Sequence, residues 1–202
     1  MALRILPFRQ YNETDVINMF ALSSGYVNAQ TTDSGNGDAG VFVSVEGGDF
    51  NADPITYATD SYLGKTDYPF VGANQYPSVS LKIKPAVTGE ALLGITLRQT
   101  AKADENGEKL LYYPQKREEL QCVLPGQAVP VATKGLFTIA STAYNGTLPV
   151  GSGIKLSTSG KITGCSVSDA SRVGLVVGTG SRTSGTVTDQ FAGGYSVIVL
   201  GL

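Results

Sequence analysis

The sequence predicts an all-β fold, and three observations carry the prediction. The 202 residues include 25 glycines and 9 prolines, the residues that punctuate a chain at turns. Between the turns stand many short runs of Val, Ile and Thr, whose branched Cβ atoms suit a pleated surface. Charged residues make up 16% of the chain, against about 25% in an ordinary soluble domain, so Ser, Thr, Asn and Gly must form much of the surface. A chain of this length buries roughly 70% of its unfolded surface. That suffices for one substantial domain or two small ones without covalent staples. The pattern divides into three zones, at residues 1–24, 25–130 and 131–202.

The first zone opens with "MALRILPFRQY", in which apolar Leu3, Ile5 and Phe8 alternate with Arg4 and Arg9. Pro7 lacks an N–H for a sheet ladder and clashes inside a helix, so the segment is expected to be an extended arm and not a central strand. Such an arm can add a strand to a partner's sheet through main-chain hydrogen bonds. Leu3, Arg4, Ile5, Leu6, Phe8, Arg9 and Tyr11 are therefore candidate contact residues. Residues 12–22, "NETDVINMFAL", predict one short helix. Asn12 caps it, Glu13 and Asp15 suit its positive end, and Val16, Met19 and Phe20 fall on one face.

The second zone is a loop-rich β domain. "GVFVSVEGG" from Gly40 reads as a strand, and "SVSLKIK", residues 78–84, alternates Val79, Leu81 and Ile83 with Ser80, Lys82 and Lys84, as a strand with one wet face does. "ALLGITLRQT" and "KLLYY" read as further strands, with Asn106-Gly107 a turn between them. Pro114 fits the first position of a helical turn over "PQKREEL". Its Leu120 is expected to face inward and Lys116, Arg117, Glu118 and Glu119 outward. Mixed signs make this second candidate contact patch nearly neutral, suited to specific salt bridges more than to long-range steering. "DSGNGDAG", residues 33–40, reads as a turn, because glycines stand where a calcium loop needs oxygen ligands.

The third zone, a small β-barrel or sandwich, consists of "GLFTIAS", "GIKLST", "GKITG", "RVGLVVGTG" and "YSVIVLGL", separated by regular turn signals. "GTGSRTSG", residues 178–185, lacks the spacing of a dinucleotide loop and reads as a hairpin loop.

Several function classes lose their usual residues. The sequence has no histidine, the commonest general base and zinc ligand. Glu118 and Glu119 are sequence neighbours and so point apart, whereas glycoside hydrolysis needs carboxylates facing each other about 5–9 Å apart. No enzyme activity, metal or other cofactor is expected. The net charge of −2 and pI near 5.1, without a basic stripe, argue against nucleic acid. The first residues lack the apolar run of a secretory leader, and no segment reaches the ~20 apolar residues of a membrane span. Cys122 and Cys165 have no CxxC partner and read as small hydrophobes, with a disulfide left open. A Tyr-rich stretch from Tyr57 to Tyr76, containing Tyr62 and Tyr68, suggests the alternative of a receptor- or glycan-binding module, although Trp, the best sugar-stacking residue, is absent.

The succession "GQAVPVATKGLFTI", "LPVGSGIKLSTSGKITG", "RVGLVVGTG" and "YSVIVLGL" resembles the β-barrel modules of tailed-bacteriophage head decoration, or cement, proteins. "DENGEKLLYYPQKREEL" running into "LPGQAVPV" is similar to structural proteins of phage head modules. The resemblance covers roughly residues 90–202 and is one of pattern; a larger N-terminal region precedes the barrel than in the family's smallest members. It implies a protein on the outer surface of the capsid, in the virion, that clamps neighbouring subunits of the major capsid protein, often as a homotrimer.

Overall fold

A computed structural model describes residues 4–47, 79–182 and 193–201 of the chain. Among these, strands dominate, as expected. They are β1 (Ile5–Gln10), β2 (Val16–Ile17), β3 (Ala21–Leu22), β4 (Asn28–Gln30), β5 (Phe42–Gly47), β6 (Lys82–Pro85), β7 (Gly94–Thr96) and β8 (Gln99–Ala103). The one α-helix among the described residues, α1 (Pro114–Glu119), follows, and then β9 (Cys122–Val123), β10 (Val131–Ala132), β11 (Gly135–Ala140), β12 (Tyr144–Asn145), β13 (Gly153–Leu156), β14 (Ile162–Cys165), β15 (Gly174–Arg182) and β16 (Gly193–Leu200).

Three sheets form. Seven strands run in the order β1-β11-β16-β15-β13-β14-β12, six in the order β2-β10-β7-β5-β6-β3, and three in the order β4-β8-β9. The seven-stranded sheet ends in two edges, β1 and β12, and is not closed into a barrel. It packs instead against the six-stranded sheet. Their shared core takes Phe137, Ile139, Ile154, Val176 and Ile198 from the first, and Phe42, Ile95 and Ala132 from the second, all buried. Strand alternation explains how the six-stranded sheet serves two cores. Phe42 points into the shared core, while its neighbours Val41 and Val43 point the other way, onto Leu22, Ile83, Val129 and Val131. The turn before β14 seals the two layers: Gly160 accepts from the Phe42 N–H (3.0 Å) and donates to the Ala86 carbonyl (3.0 Å). A Cβ there would lie 2.3 Å from Val41 Cγ1, and φ is +61°, so the approach requires glycine.

Sheet pairing crosses the zones read from the sequence. β1 pairs antiparallel with β11, joining residues 5–10 to the C-terminal sheet, and β10 pairs with both β2 and β7. The expected free arm is thus an edge strand. Its register runs Ile5 to Ile139 and then Arg9 to Phe137, so four steps on β1 match two on β11. The irregularity spans Pro7, which has no N–H to give, and Pro is tolerated at an edge or bulge of this kind.

Three further expectations are corrected. Residues 12–22 form no α-helix: Asn12 caps only a 3-10 turn, Glu13–Asp15, by accepting from the Thr14 N–H (3.2 Å), and the chain then enters β2 and β3. Pairing of Val16 with Ala132 and of Leu22 with Ile83 overrides the local helical spacing. "KLLYY" is a 3-10 turn, Leu110–Tyr112, joined to β8 by one bridge, Ala103 to Lys109. Its adjacent leucines do not alternate, and the fully buried one, Leu110, fills a small core with Ala101, Cys122 and Leu124. Residues 178–182 belong to β15, paired as far as Arg182 with Gly193. The remainder of that expected loop, the Tyr57–Tyr76 stretch and Leu3 lie outside the described residues.

Candidate functional site

Arg4, at the start of the first candidate patch, is almost wholly buried (5% exposed). Its guanidinium donates to the Ser159 carbonyl (3.1 Å) and the Gly35 carbonyl (2.9 Å), and its Nε lies 3.4 Å from Asp38 Oδ2. Asp38 also accepts from Asn28 Nδ2 (2.8 Å) and from the Gly35 N–H (3.1 Å). Burial nonetheless raises its pKa above the ordinary 3.8, against the pull of Asn28 and Arg4. Both carboxylates of the 33–40 turn are engaged within the protein, Asp33 by the Gln30 N–H (2.9 Å). Ile5 and Leu6 are buried as well. Arg4, Ile5 and Leu6 are therefore corrected from contact residues to anchors, because their side chains are spent inside the fold.

Beyond Leu6 the strand turns outward. Phe8 is 64% exposed, with the Arg182 guanidinium 5.6 Å from its ring centroid. Arg9 and Tyr11 are half-buried, and Tyr11 stacks on Phe137 with centroids 6.0 Å apart.

The second patch keeps its expected framework. Pro114 occupies the first turn of α1, and Leu120 packs on the Leu110 core. The charges are more committed than a solvated face would be. Lys116 Nζ pairs with Asp104, a residue with no exposed surface, and with Glu105 at 3.2 Å. Asp104 also accepts from the Asn106 and Glu108 N–H groups, each at 2.8 Å, which fixes the expected Asn106-Gly107 turn. Hydrogen bonding to Lys116 first, then these amides, holds the Asp104 carboxyl below its usual range. Lys116 is thus an internal strut. Glu118 remains outward, bridged by Arg98 (2.9 Å) and Arg117 (3.4 Å), and Glu119 is exposed.

The helix ends at Gln121, whose φ of +48° is left-handed although the residue has a Cβ. Glycine adopts this conformation without that penalty, which is roughly 1–2 kcal/mol for other residues. Gln99 Nε2 supports the end by donating to the Leu120 carbonyl (3.0 Å).

The two patches meet. A depression of about 440 Å³ is lined by Arg9, Tyr11, Asn18, Leu97, Arg98, Gln121 and Pro130 among others. A second, of about 370 Å³, is lined by Asn18, Arg98, Arg117, Glu118, Gln127 and Pro130 among others. Sharing Asn18, Arg98 and Pro130, they form one groove, with β1 at one end and α1 at the other. Sequence reasoning missed Asn18, Arg98 and Gln121, which lie on strand ends and a helix cap with no motif around them.

A larger depression, about 710 Å³, holds Ser23, Tyr26, Glu46 and Lys82. Ser23 Oγ donates to Glu46, and the Lys82 amine is occupied by the Val79 carbonyl. Cys122 is buried, its thiol pushed up to about 11 by desolvation, and neither Cys122 nor Cys165 is in a disulfide. Among the described residues no three His, Cys, Asp or Glu side chains converge as metal ligands, and no helix is long and apolar enough to cross a membrane. Comparison with known protein families, with curated proteins and with solved structures finds no match to this chain.

Proposed function

We propose that this chain is a capsid decoration protein that binds the outside of an assembled phage head and stabilises contacts between major capsid protein subunits. The observation that carries the reading is the groove, a contact surface whose two ends are each fixed by an ion pair on a buried carboxylate, Arg4–Asp38 and Lys116–Asp104. Its stiffness suits a clamp, since a surface ordered in advance loses little entropy on binding. The strand pattern of residues 90–202 supports the same reading by resemblance. The correction to β1 changes the manner of attachment: the protein binds through a fixed surface carrying Phe8, Arg9, Tyr11, Arg117, Glu118 and Glu119, not by inserting a loose arm.

Self-association on the shell, as a homotrimer, belongs to the proposal. Leu136, Val199 and Leu175 stand in register across β11, β16 and β15, with Val197 in the next row. Their neighbours Phe137, Ile198 and Val176 point into the core, so this row faces outward, half-buried and without formal charge. Two such faces can meet without desolvating ions.

The test uses shells of the major capsid protein encoded in the same genome, assembled with and without this chain and challenged by heat or osmotic shock. Anything that binds the lattice better than free subunits favours the lattice by mass action. Bare shells should rupture at lower temperature, and added protein should restore them. Equal resistance of bare and saturated shells overturns the proposal, as does a genome encoding no major capsid protein.

A further inference from the structure

Resting on the reading of the groove as a contact surface, we infer that its ligand is an extended peptide segment of the partner bearing an acidic side chain among apolar ones, with the carboxylate seated at Arg9. The groove carries a surplus of positive charge. Arg9, Arg98 and Arg117 face Glu13 and Glu118 along the groove, an excess of one cation in a protein whose net charge is −2. The cations differ in commitment. Arg98 and Arg117 share Glu118, whereas the Arg9 guanidinium has no hydrogen bond or ion pair among the described residues. A carboxylate offers it a two-pronged, charge-assisted pair that the chain itself does not supply.

Shape and main-chain groups point the same way. Neither depression is enclosed, and joined through Asn18, Arg98 and Pro130 they make an open, elongated surface that fits an extended segment better than a compact small molecule. The Asn18 and Gln121 side-chain amides on its walls have no partner among the described residues. Each carries one acceptor and two donors, the complement of a passing peptide group. Gln121 keeps its side chain at a left-handed position where glycine is relaxed. Backbone strain of this kind persists where the surroundings over-determine it, often at ligand sites. The groove gives that strained side chain a use.

The experiment pans a displayed library of random heptapeptides on the full chain and measures the best sequences as synthetic peptides. Enrichment of Asp- or Glu-containing peptides with apolar flanks is expected. Arg9→Glu should weaken the best peptide at least tenfold, Arg9→Gln should weaken it less, and Gln121→Gly severalfold, with thermal unfolding confirming that each variant is folded. No enrichment, enrichment without acidic residues, or binding indifferent to both Arg9 variants overturns the inference. Shell binding by the same variants separates the two readings. Undiminished decoration by Arg9→Glu leaves the capsid reading standing and removes the groove ligand, whereas acidic peptides that bind a protein unable to decorate shells do the reverse.

Discussion

Residues 4–11 and residues 104–121 each hang a surface patch on a carboxylate that solvent barely reaches. In the first, Asp38 grips Arg4 from another part of the chain, and the same arginine reaches the Ser159 carbonyl, 155 positions away. In the second, Asp104 grips Lys116, twelve positions on, and its remaining bonds go to Asn106 and Glu108. One anchor is built from tertiary contacts and the other from a local turn. The environments differ as well: desolvation dominates at Asp38 and raises its pKa, whereas hydrogen bonding dominates at Asp104 and lowers it. The long-range anchor should therefore be the costlier to break and the local one the more sensitive to acid.

The largest effect is expected from Arg4→Met. It leaves Asp38 buried without its cation, and breaking a buried pair in this way costs about 3–5 kcal/mol. Denaturant unfolding measures it, and the double variant Arg4→Met with Asp38→Asn should recover part of the loss by removing the stranded charge. A cost below ~1 kcal/mol for Arg4→Met would place the anchor of β1 elsewhere. Ile5→Ala should follow at about 2–5 kcal/mol, the usual range for emptying a buried aliphatic site. A free arm would show neither loss. By the same reasoning, deleting residues 1–11 exposes the inner side of β11 and should unfold the protein, where a loose arm could be cut without harm.

This contrast also explains what was legible in the sequence. Apolar runs between turn signals mark β11, β13 and β16, and in β16 the burial alternates along the strand as a one-sided strand requires. Pro114 and Asn106-Gly107 were readable because their conformations are dictated by neighbours in sequence. The fate of Arg4 was not, since nothing near "LRILP" announces Asp38 or Ser159, and an apolar stretch with a proline looks alike whether free or paired at an edge. Val16, Met19 and Phe20 misled for the same reason: their spacing is helical, but distant strands made the better offer. The groove was half legible. Arg9, Arg117 and Glu118 stood out by charge, whereas Asn18, Arg98 and Gln121 join them only through the packing of β2 and β8 beside α1.

Acid should separate the two regions. For Asp104, folded below the usual 3.8, the stabilisation is present above that value and is lost as pH falls through the lower folded pKa. For Asp38, folded above 3.8, the sign reverses: its contribution is complete below 3.8 and is lost as pH rises through the raised folded pKa. Lowering the pH from 6 toward 2.5 should thus loosen the 104–121 turn while relieving the strain of ionised Asp38. Amide hydrogen exchange can follow both, through the Asn106 and Glu108 amides bound to Asp104 and the Ala140 amide bound to the Arg4 carbonyl (2.9 Å). Earlier deprotection of Ala140 would invert the comparison.

The smallest effect on stability belongs to Phe8, the outermost apolar residue of β1. Its side chain is 64% exposed, and its ring contact among the described residues is the Arg182 guanidinium at 5.6 Å, an exposed cation–π pair of about 0.5–1 kcal/mol. Phe8→Ser should therefore shift unfolding by no more than that, in contrast to Ile5 only three positions earlier. Attachment is where it should matter. Aromatic residues, Phe among them, are enriched at the cores of interfaces, and Phe8 stands beside Arg9 on the same strand. A Phe8→Ser variant that melts like the parent yet decorates shells at lower occupancy would place the contact on the outer half of β1, as the burial of Arg4, Ile5 and Leu6 requires. Undiminished occupancy would take Phe8 out of the contact and leave it to the groove between Arg9 and α1.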